Sequence, residues 1–288
     1  MKIFLRYLAQ ILPLILIAFV IYVFMQKPRA DRNWRFNLTE VARIHETALD
    51  QYQFNNVRAF EYNLSDEFTR QEWIDLQVDA NDLSEVWFFL EPFPGSDKVG
   101  HTFLSFVFES ESGEREALSI SVEARKEEGE EYTAINALFR RFELLYVWST
   151  EKDILTRIGI HRDHELFAYK LNLTGDQARV IFKHFIKRTN ELADKPRFYN
   201  TIHSNCTNEL AKAVNTAYPG ALKVRAPWIM TGHAPRWLHD MGYVSPKDTP
   251  FETLNATANI KRPVKAAVDL DANAFADHWR SLFENIAK

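Results

Sequence analysis

The chain has 288 residues, of which 46% are hydrophobic and 26% charged, and it contains a single cysteine. This composition excludes a disordered or low-complexity chain, because enough apolar surface is present to offset the entropy of folding. One cysteine excludes an intramolecular disulfide framework. The net charge of −4 argues against a nucleic-acid partner, whose phosphates would have to be neutralised by basic residues.

Residues 1–26 are predicted to form an uncleaved signal anchor, a single transmembrane helix. Tyr7 to Gln26 is a run of 20 uncharged residues, and as a helix this run spans a hydrocarbon core of about 30 Å. The run is followed by Lys27 and Pro28 rather than by a small-residue cleavage site. Basic residues flank it on both sides, so the charge distribution by itself slightly favours a cytoplasmic body.

Residues 27–55 are predicted to be a linker with a short helix. Val41, Ile44, Ala48 and Tyr52 follow one another at spacings of three and four, which is the period of an amphipathic helix over about 38–52.

A central domain over residues 56–245 is predicted to begin with strands and to end with helices. Leu118, Ile120 and Val122 alternate with polar residues, as they do in a strand with one buried face. Strands are predicted at residues 56–62, 73–78, 86–90, 101–108, 118–123, 143–148, 154–160 and 166–173. A run of strands followed by helices indicates an α+β fold, an antiparallel sheet packed by helices.

Three helices are predicted in the second half of the chain. Thr174 and Gln177 form a capping box, and Pro196 marks the end of the helix that they begin. A second helix begins near Cys206. Residues 246–288 are predicted to be a C-terminal extension that ends in an amphipathic helix.

Cys206 is the candidate nucleophile. Ser204 or Asn205 is a suitable N-cap, which places the thiol in the first turn of its helix. Unpaired N–H groups and the helix dipole favour the thiolate there. The alternative interpretation is a buried structural cysteine.

His101 is the leading candidate for a base. It is the first residue of a predicted strand, which places the imidazole at one end of the sheet, near a cleft lined by loops. A thiol needs a base or a cation nearby to attack an acyl carbon near neutral pH. Three residues of the next strand are candidates to orient the imidazole, namely Ser119, Ser121 and Glu123. His161 and His164 are interpreted as solvated residues of a hairpin turn. No spacing matches a metal-binding motif, and neither a metal nor a cofactor is expected.

The order of these motifs resembles the Lnb-type N-terminal periplasmic domain family. The resemblance covers roughly residues 57–241 and depends on Glu91-Pro92-Phe93, His101-Thr102-Phe103-Leu104-Ser105-Phe106, Ser119-Ile120-Ser121-Val122-Glu123-Ala124-Arg125 and Tyr199-Asn200-Thr201…Asn205-Cys206-Thr207. It implies a circularly permuted papain-like or NlpC-like core in which histidine precedes cysteine. It also implies a periplasmic body held by one helix at the bacterial inner membrane, which outweighs the charge distribution.

The same resemblance implies roles for individual residues. Cys206 matches the nucleophile and His101 the base, whereas Glu123 either orients His101 or forms a structural ion pair with Arg125. Asn205 or the helix amides are candidates to stabilise an oxyanion. Tyr199 and Ser121 lie in the matching motifs and are expected to support the site.

Lnb itself is described as a lipoprotein intramolecular transacylase. The resemblance therefore implies a cysteine acyltransferase or hydrolase whose substrate is a membrane lipid or a lipoprotein. The sequence predicts a single anchor and no further membrane spans, so a full transacylase architecture is not evident. Two alternatives therefore stay open. The first is an NlpC-like cell-wall peptidase or amidase, and the second is a non-catalytic envelope scaffold.

Overall fold

The computed structural model describes residues 2–64, 68–222 and 230–286. Its strands are β1 (Arg43–Ala48), β2 (Gln51–Arg58), β3 (Glu61–Tyr62), β4 (Phe68–Arg70), β5 (Trp73–Asp79), β6 (Leu83–Pro92), β7 (Gly100–Glu109), β8 (Arg115–Arg125), β9 (Glu143–Thr150) and β10 (Phe167–Lys170). Its α-helices are α1 (Lys2–Met25), α2 (Ala134–Leu138), α3 (Glu151–Thr156), α4 (Gly175–Asp194), α5 (Cys206–Ala217), α6 (Ala234–Asp240), α7 (Phe251–Thr257), α8 (Lys261–Ala266) and α9 (Ala272–Ile286). A π-helical segment, Arg157–His161, continues α3.

One eight-stranded sheet organises the body. Its order is β1-β2-β9-β8-β7-β6-β10, and β5 pairs with β2 beside this path. All of these pairs are antiparallel except β2 with β9, which pair in parallel at Arg58 and Ser149. The prediction of a mixed α+β fold with a helix-packed sheet is therefore confirmed.

Helices cover both faces of the sheet, because its central strands bury side chains on both sides. On one face, Phe106 and Ile120 pack in a core cluster with Phe182 of α4 and Leu210 of α5. The opposite face packs against α3, α8 and α9 in a second core cluster. The sheet thus holds α5, the helix of Cys206, against one side and the arginine-bearing segment after α3 against the other.

The capping signal of α4 is confirmed. The Thr174 hydroxyl accepts from the backbone N–H of Gln177, and the Gln177 side chain accepts from the N–H of Thr174. The helix ends at Asp194, two residues before Pro196, as proline geometry requires. This strong local signal operates within one turn and needs no tertiary context.

The helix predicted over residues 38–52 is wrong, because β1 and the start of β2 occupy this segment. The two strands form a hairpin in which Ile44 pairs with Phe54. Asp50, at its turn, has a positive φ of 61°, a conformation that aspartate tolerates better than most residues. Of the four residues with the helical spacing, Ile44 lies buried in β1 and Tyr52 in β2, whereas Ala48 is exposed, so no single helical face is buried.

The strand predicted over residues 154–160 is also wrong. The Thr150 hydroxyl caps α3 by accepting from the backbone N–H of Asp153. Ile154, Leu155 and Ile158 then share the helical face that is buried in the second core cluster. Packing of this face overrides the β-propensity of the isoleucines.

The amphipathic helix predicted near the C-terminus is confirmed as α9, and it packs on the sheet. Trp279 is fully buried against Trp87 and Phe89. Among the described residues, no helix is both long and apolar enough to cross a membrane, so the signal anchor expected in residues 1–26 is not confirmed.

Candidate active site

Cys206 is the first residue of α5, as the sequence predicts. Asn205 is the N-cap, and its side-chain oxygen accepts from the backbone N–H of Asn208 at 2.8 Å. The cysteine is 5% exposed. Its position in the first turn places the sulfur beside backbone N–H groups that lack an acceptor within the helix, which favours the thiolate.

His101 lies at the start of β7, where the strand is closely fixed. The Thr231 hydroxyl bonds both to the N–H of Gly100, at 2.8 Å, and to its carbonyl, at 2.5 Å. A Cβ on Gly100 would meet the carbonyl oxygen of Glu91 at 2.5 Å. Only glycine therefore allows β6 and β7 to approach this closely beside His101.

A chain of polar contacts links His101 to Glu123. Imidazole Nε2 lies 2.7 Å from Oγ of Ser121, and that hydroxyl donates to Oε1 of Glu123 at 2.7 Å. The same carboxylate oxygen lies 3.5 Å from Nε2. The alternation of β8 puts Ser121 and Glu123 on one face, and the pairing of Phe103 with Ser121 brings that face to His101.

His101 and Cys206 lie close enough to shift each other's pKa. Burial disfavours the charged imidazole, but the charge of Glu123 and the interaction with the thiol outweigh it and raise the pKa of His101 to about 9. Burial likewise disfavours the thiolate, but His101 and then Thr102 outweigh it and lower the pKa of Cys206. Both shifts favour a thiolate–imidazolium pair.

Glu123 is held as a carboxylate. Its burial opposes ionisation, but the positive charges of His101, Arg157 and Arg162 keep the pKa of Glu123 well below its usual range. Nη1 of Arg157 lies 3.9 Å from Oε1 of Glu123. The negative charge that stabilises the imidazolium is therefore present throughout the neutral pH range.

Cys206 and His101 open onto a cleft of about 420 Å³. Its walls combine apolar and aromatic side chains with a few polar groups, the usual composition of a small-molecule site. The lining residues are Phe93, Val99, Gly100, His101, Val122, Glu123, Ala124, Lys126, Tyr132, Thr133, Ala134, Arg162, Tyr199, Thr201, Asn205, Cys206 and Thr231.

Tyr199 and Asn205 also line this cleft. Tyr199 is 6% exposed and packs edge-on against Tyr132, and burial raises its pKa well above the ordinary value. The Asn205 side chain caps α5 and donates through Nδ2 to the carbonyl of Thr201 at 2.7 Å. Both the oxygen and the nitrogen of its side-chain amide are thus hydrogen-bonded to backbone groups of the protein.

Arg125 is not brought to the cleft. Its guanidinium donates to the backbone carbonyls of Leu38 and Thr39 and lies over the ring of Trp34. In the described residues, it makes no ion pair with Glu123. The alternative in which Glu123 and Arg125 pair structurally is therefore not the arrangement found here.

The sequence reasoning missed the arginines beside the site. Arg157 lies in the segment for which the sequence predicts a strand, and this segment is helical. Arg162 lies in the segment for which the sequence predicts a solvated hairpin turn. Arg162 instead donates to both carboxylate oxygens of the buried Glu91, at 3.0 and 3.2 Å. Glu91 also bonds Nδ1 of His164 at 2.6 Å, so His164 is not a simply solvated residue. The cluster of basic residues around Arg162 was the available signal.

Metal ligands do not cluster at the cleft. Within the described part of the chain, no group of three histidine, cysteine, aspartate or glutamate side chains is arranged to hold a metal ion.

A comparison with known proteins gives one match. The model of the Lnb N-terminal periplasmic domain matches residues 69–234, more than half of the chain. This range includes Cys206, His101 and Glu123. No curated protein and no solved structure matches the chain.

Proposed function

The chain belongs to the family of Lnb N-terminal periplasmic domains, and we propose that it is a thiol enzyme that transfers or hydrolyses acyl groups of lipids or lipoproteins. The observation that carries the proposal is that Cys206, in the first turn of α5, and His101, bonded to Ser121, line the same cleft. The family is one of periplasmic domains, and this supports a periplasmic site of action.

In the first step, the Cys206 thiolate attacks the carbonyl carbon of an ester or amide. The thiol proton resides on His101, whose Nε2 is engaged by Ser121 and, through it, by Glu123. The tetrahedral intermediate carries a negative oxygen. N–H groups at the start of α5 are available to stabilise it, because the first turn of a helix leaves them without internal acceptors.

In the second step, the intermediate collapses and the bond to the leaving group breaks. His101 gives its proton to the departing alkoxide or amine, and the acyl group remains on Cys206 as a thioester. An amine or a water then attacks the thioester, and His101 takes its proton. The products are an amide or a free acid, together with the regenerated thiol.

The walls of the cleft support an acyl substrate. Phe93, Val99, Val122, Tyr132 and Tyr199 contribute apolar surface beside the thiol, which suits a hydrocarbon chain. The histidine-before-cysteine order and the sheet–helix contact are also consistent with a papain-like or NlpC-like core. Attachment through residues 1–26 to the inner membrane stays a prediction from the sequence.

Intact-protein mass spectrometry tests the proposal. The protein is incubated with bacterial membrane lipids and then with neutral hydroxylamine, which cleaves thioesters. We expect a fatty-acyl mass increase that hydroxylamine removes and that peptide mapping assigns to Cys206. Cys206→Ala should abolish the adduct, and His101→Gln should slow its formation by about 100-fold or more.

A matched control is His203→Gln, which removes an exposed histidine from the segment before α5. It should form the adduct at the wild-type rate. An adduct that persists in Cys206→Ala would contradict the proposal. Cleavage of cell-wall peptides without any lipid adduct would instead favour the peptidase alternative, and full cellular function of a folded Cys206→Ala variant would favour the scaffold.

A further inference from the structure

A second cavity, of about 310 Å³, adjoins the cleft of Cys206. It lies beneath the segment Phe36–Leu38 and shares Glu123, Lys126 and Arg162 with the cleft. Its other charged or titratable lining residues are Arg35, Tyr62, Glu128, Arg157 and His161. We call it the basic cavity, because cationic side chains outnumber carboxylates in its wall.

Arg157 is a buried cation of this cavity that lacks a close counter-charge among the described residues. The residue is only 7% exposed, yet among the described residues its one ion-pair partner is Glu123, at 3.9 Å. That carboxylate is already engaged by Ser121 and His101. A buried guanidinium normally has close, bidentate carboxylate partners, as Arg58 has in Asp153 at 2.8 and 2.9 Å.

The positive charges near Arg157 also disfavour its own charged form. Burial, followed by the charges of Arg162 and Arg58, lowers the pKa of Arg157 to about 10. An anion that approaches such a guanidinium stabilises it, because a nearby opposite charge favours the charged form.

Lys126 adds a second cation without a counter-charge. It lines both the cleft and the basic cavity, and it forms no ion pair with any residue that the structure describes. Burial and the positive charges of Arg35, Arg162 and Arg157 lower its pKa, although Glu123 acts in the opposite direction. Lys126 thus reaches the cavity from the loop that follows β8. Arg157 reaches the same cavity from the π-helical segment after α3.

We propose that the basic cavity binds the phosphate of a glycerophospholipid while the acyl ester of the same molecule lies at Cys206. This inference rests on the proposed function and names its acyl donor. In such a lipid, the ester carbonyl and the phosphate are attached to the same glycerol unit. The two cavities share lining residues, so they lie close enough together for one lipid molecule. Guanidinium and ammonium groups are the side chains that bind phosphate oxygens most strongly.

The acyl transfer itself follows from this placement. The Cys206 thiolate forms a bond to the carbonyl carbon of the ester, the bond between that carbon and the glycerol oxygen breaks, and His101 protonates the glycerol oxygen. The products are the acyl thioester on Cys206 and a lysophospholipid whose phosphate leaves the basic cavity.

Inorganic phosphate tests the cavity independently of acyl transfer. Thermal unfolding of the full-length protein is followed with increasing phosphate, and sodium chloride matches the ionic strength. We expect phosphate to raise the melting temperature of the wild-type protein. The increase should be absent in Lys126→Gln and in Arg157→Gln, and it should persist in the control Lys187→Gln, which removes an exposed lysine of α4.

Vesicles test whether the phosphate belongs to a lipid. Acylation of Cys206 is measured by mass spectrometry with vesicles of phosphatidylglycerol and, separately, with diacylglycerol in an uncharged detergent. Lys126→Gln should acylate from phosphatidylglycerol about tenfold more slowly than the wild-type protein, and the ratio of its rate with phosphatidylglycerol to its rate with diacylglycerol should fall by about the same factor. Lys187→Gln should match the wild-type protein with both donors.

Two results would overturn the inference. Equal acylation of Lys126→Gln, Lys187→Gln and the wild-type protein by phosphatidylglycerol would show that the cavity does not hold the headgroup, while the proposed function would stand. A phosphate response that is the same in all variants would show that the cavity is not an anion site. Failure of every donor to acylate Cys206 is different, because it contradicts the proposed function and leaves the phosphate measurement to decide about the cavity.

Discussion

Imidazole Nε2 of His101 lies 2.7 Å from the hydroxyl oxygen of Ser121, which in turn donates to Glu123. A serine hydroxyl thus lies between the imidazole and the carboxylate. Because that hydroxyl both accepts and donates, it orients the ring and transmits the negative charge of Glu123 to it.

Replacing Ser121 with alanine should disturb the orientation of the ring without removing a charge. We expect acylation of Cys206 to slow by about tenfold, because His101 loses its nearest partner while Glu123 stays 3.5 Å away. The measurement is the initial rate of adduct formation by mass spectrometry.

The control is Ser105→Ala. Ser105 is also buried in the sheet and bonds another serine, Ser119, at 2.7 Å, but it does not line the cleft. It should acylate at nearly the wild-type rate. Equal slowing in both variants would indicate a general effect on the sheet and not a role for Ser121 in positioning His101.

Glu123→Gln should change the pH dependence of Cys206. The negative charge of Glu123 is the main cause that raises the pKa of His101, so its loss destabilises the imidazolium and makes the thiol harder to ionise. The acidic limb of the rate of alkylation by iodoacetamide should therefore move to higher pH by about one unit. Glu116→Gln, at the other end of β8, should leave the limb in place. A shift toward lower pH in Glu123→Gln would contradict this electrostatic role.

The same variant should also change how stability depends on pH. A raised histidine pKa stabilises the folded protein fully below about 6.5, and this contribution is lost as the pH rises through about 9. In Glu123→Gln, this contribution should be smaller and its loss should be complete at lower pH, because the folded-state pKa of His101 is lower while that of the unfolded chain is unchanged. Urea unfolding at pH 6 and above pH 9, with Cys206→Ala in both proteins to remove thiol titration, measures the difference. An unchanged pH dependence would contradict the prediction.

Gly100→Ala should strain the contact between β6 and β7. The new methyl group would lie 2.5 Å from the backbone oxygen of Glu91, and backbone cannot move aside as a flexible side chain can. We expect a loss of about 1–3 kcal/mol in the free energy of unfolding, together with slower alkylation of Cys206. Gly175→Ala, whose nearest neighbour is the flexible side chain of Arg179, is the control. Equal stability of the two variants would argue against a tight strand contact.

Trp279→Ala should destabilise the body through the second core cluster. The ring is fully buried, and its N–H donates to Glu151 at 2.9 Å, so both packing and a hydrogen bond are lost. Chemical denaturation should show a loss of about 3–5 kcal/mol. Ile135→Ala, at a largely exposed position of α2, should change stability by less than about 0.5 kcal/mol. A small effect at Trp279 would mean that α9 is not an integral part of the fold.

Several features of this protein were predictable from short stretches of sequence. The capping box at Thr174 and Gln177 begins α4, and the N-cap before Cys206 puts the thiol in the first turn of α5. The alternation along β8 places Ser121 and Glu123 on one face. Each of these signals depends on hydrogen bonds or side-chain directions within a few residues, so the chain carries them locally.

Only the tertiary structure decided which of these local features meet. Residues 43–58 form a hairpin because Ile44 and Phe54 pack into the core, although the spacing of Val41, Ile44, Ala48 and Tyr52 also fits a helix. Arg157 reaches Glu123 because the segment after α3 is helical and packs on the sheet. Strand register and burial join residues that are far apart in the chain, and no local pattern encodes such contacts. Cys206, His101 and Glu123 could be singled out from the sequence, whereas the arginines beside Glu123 could not.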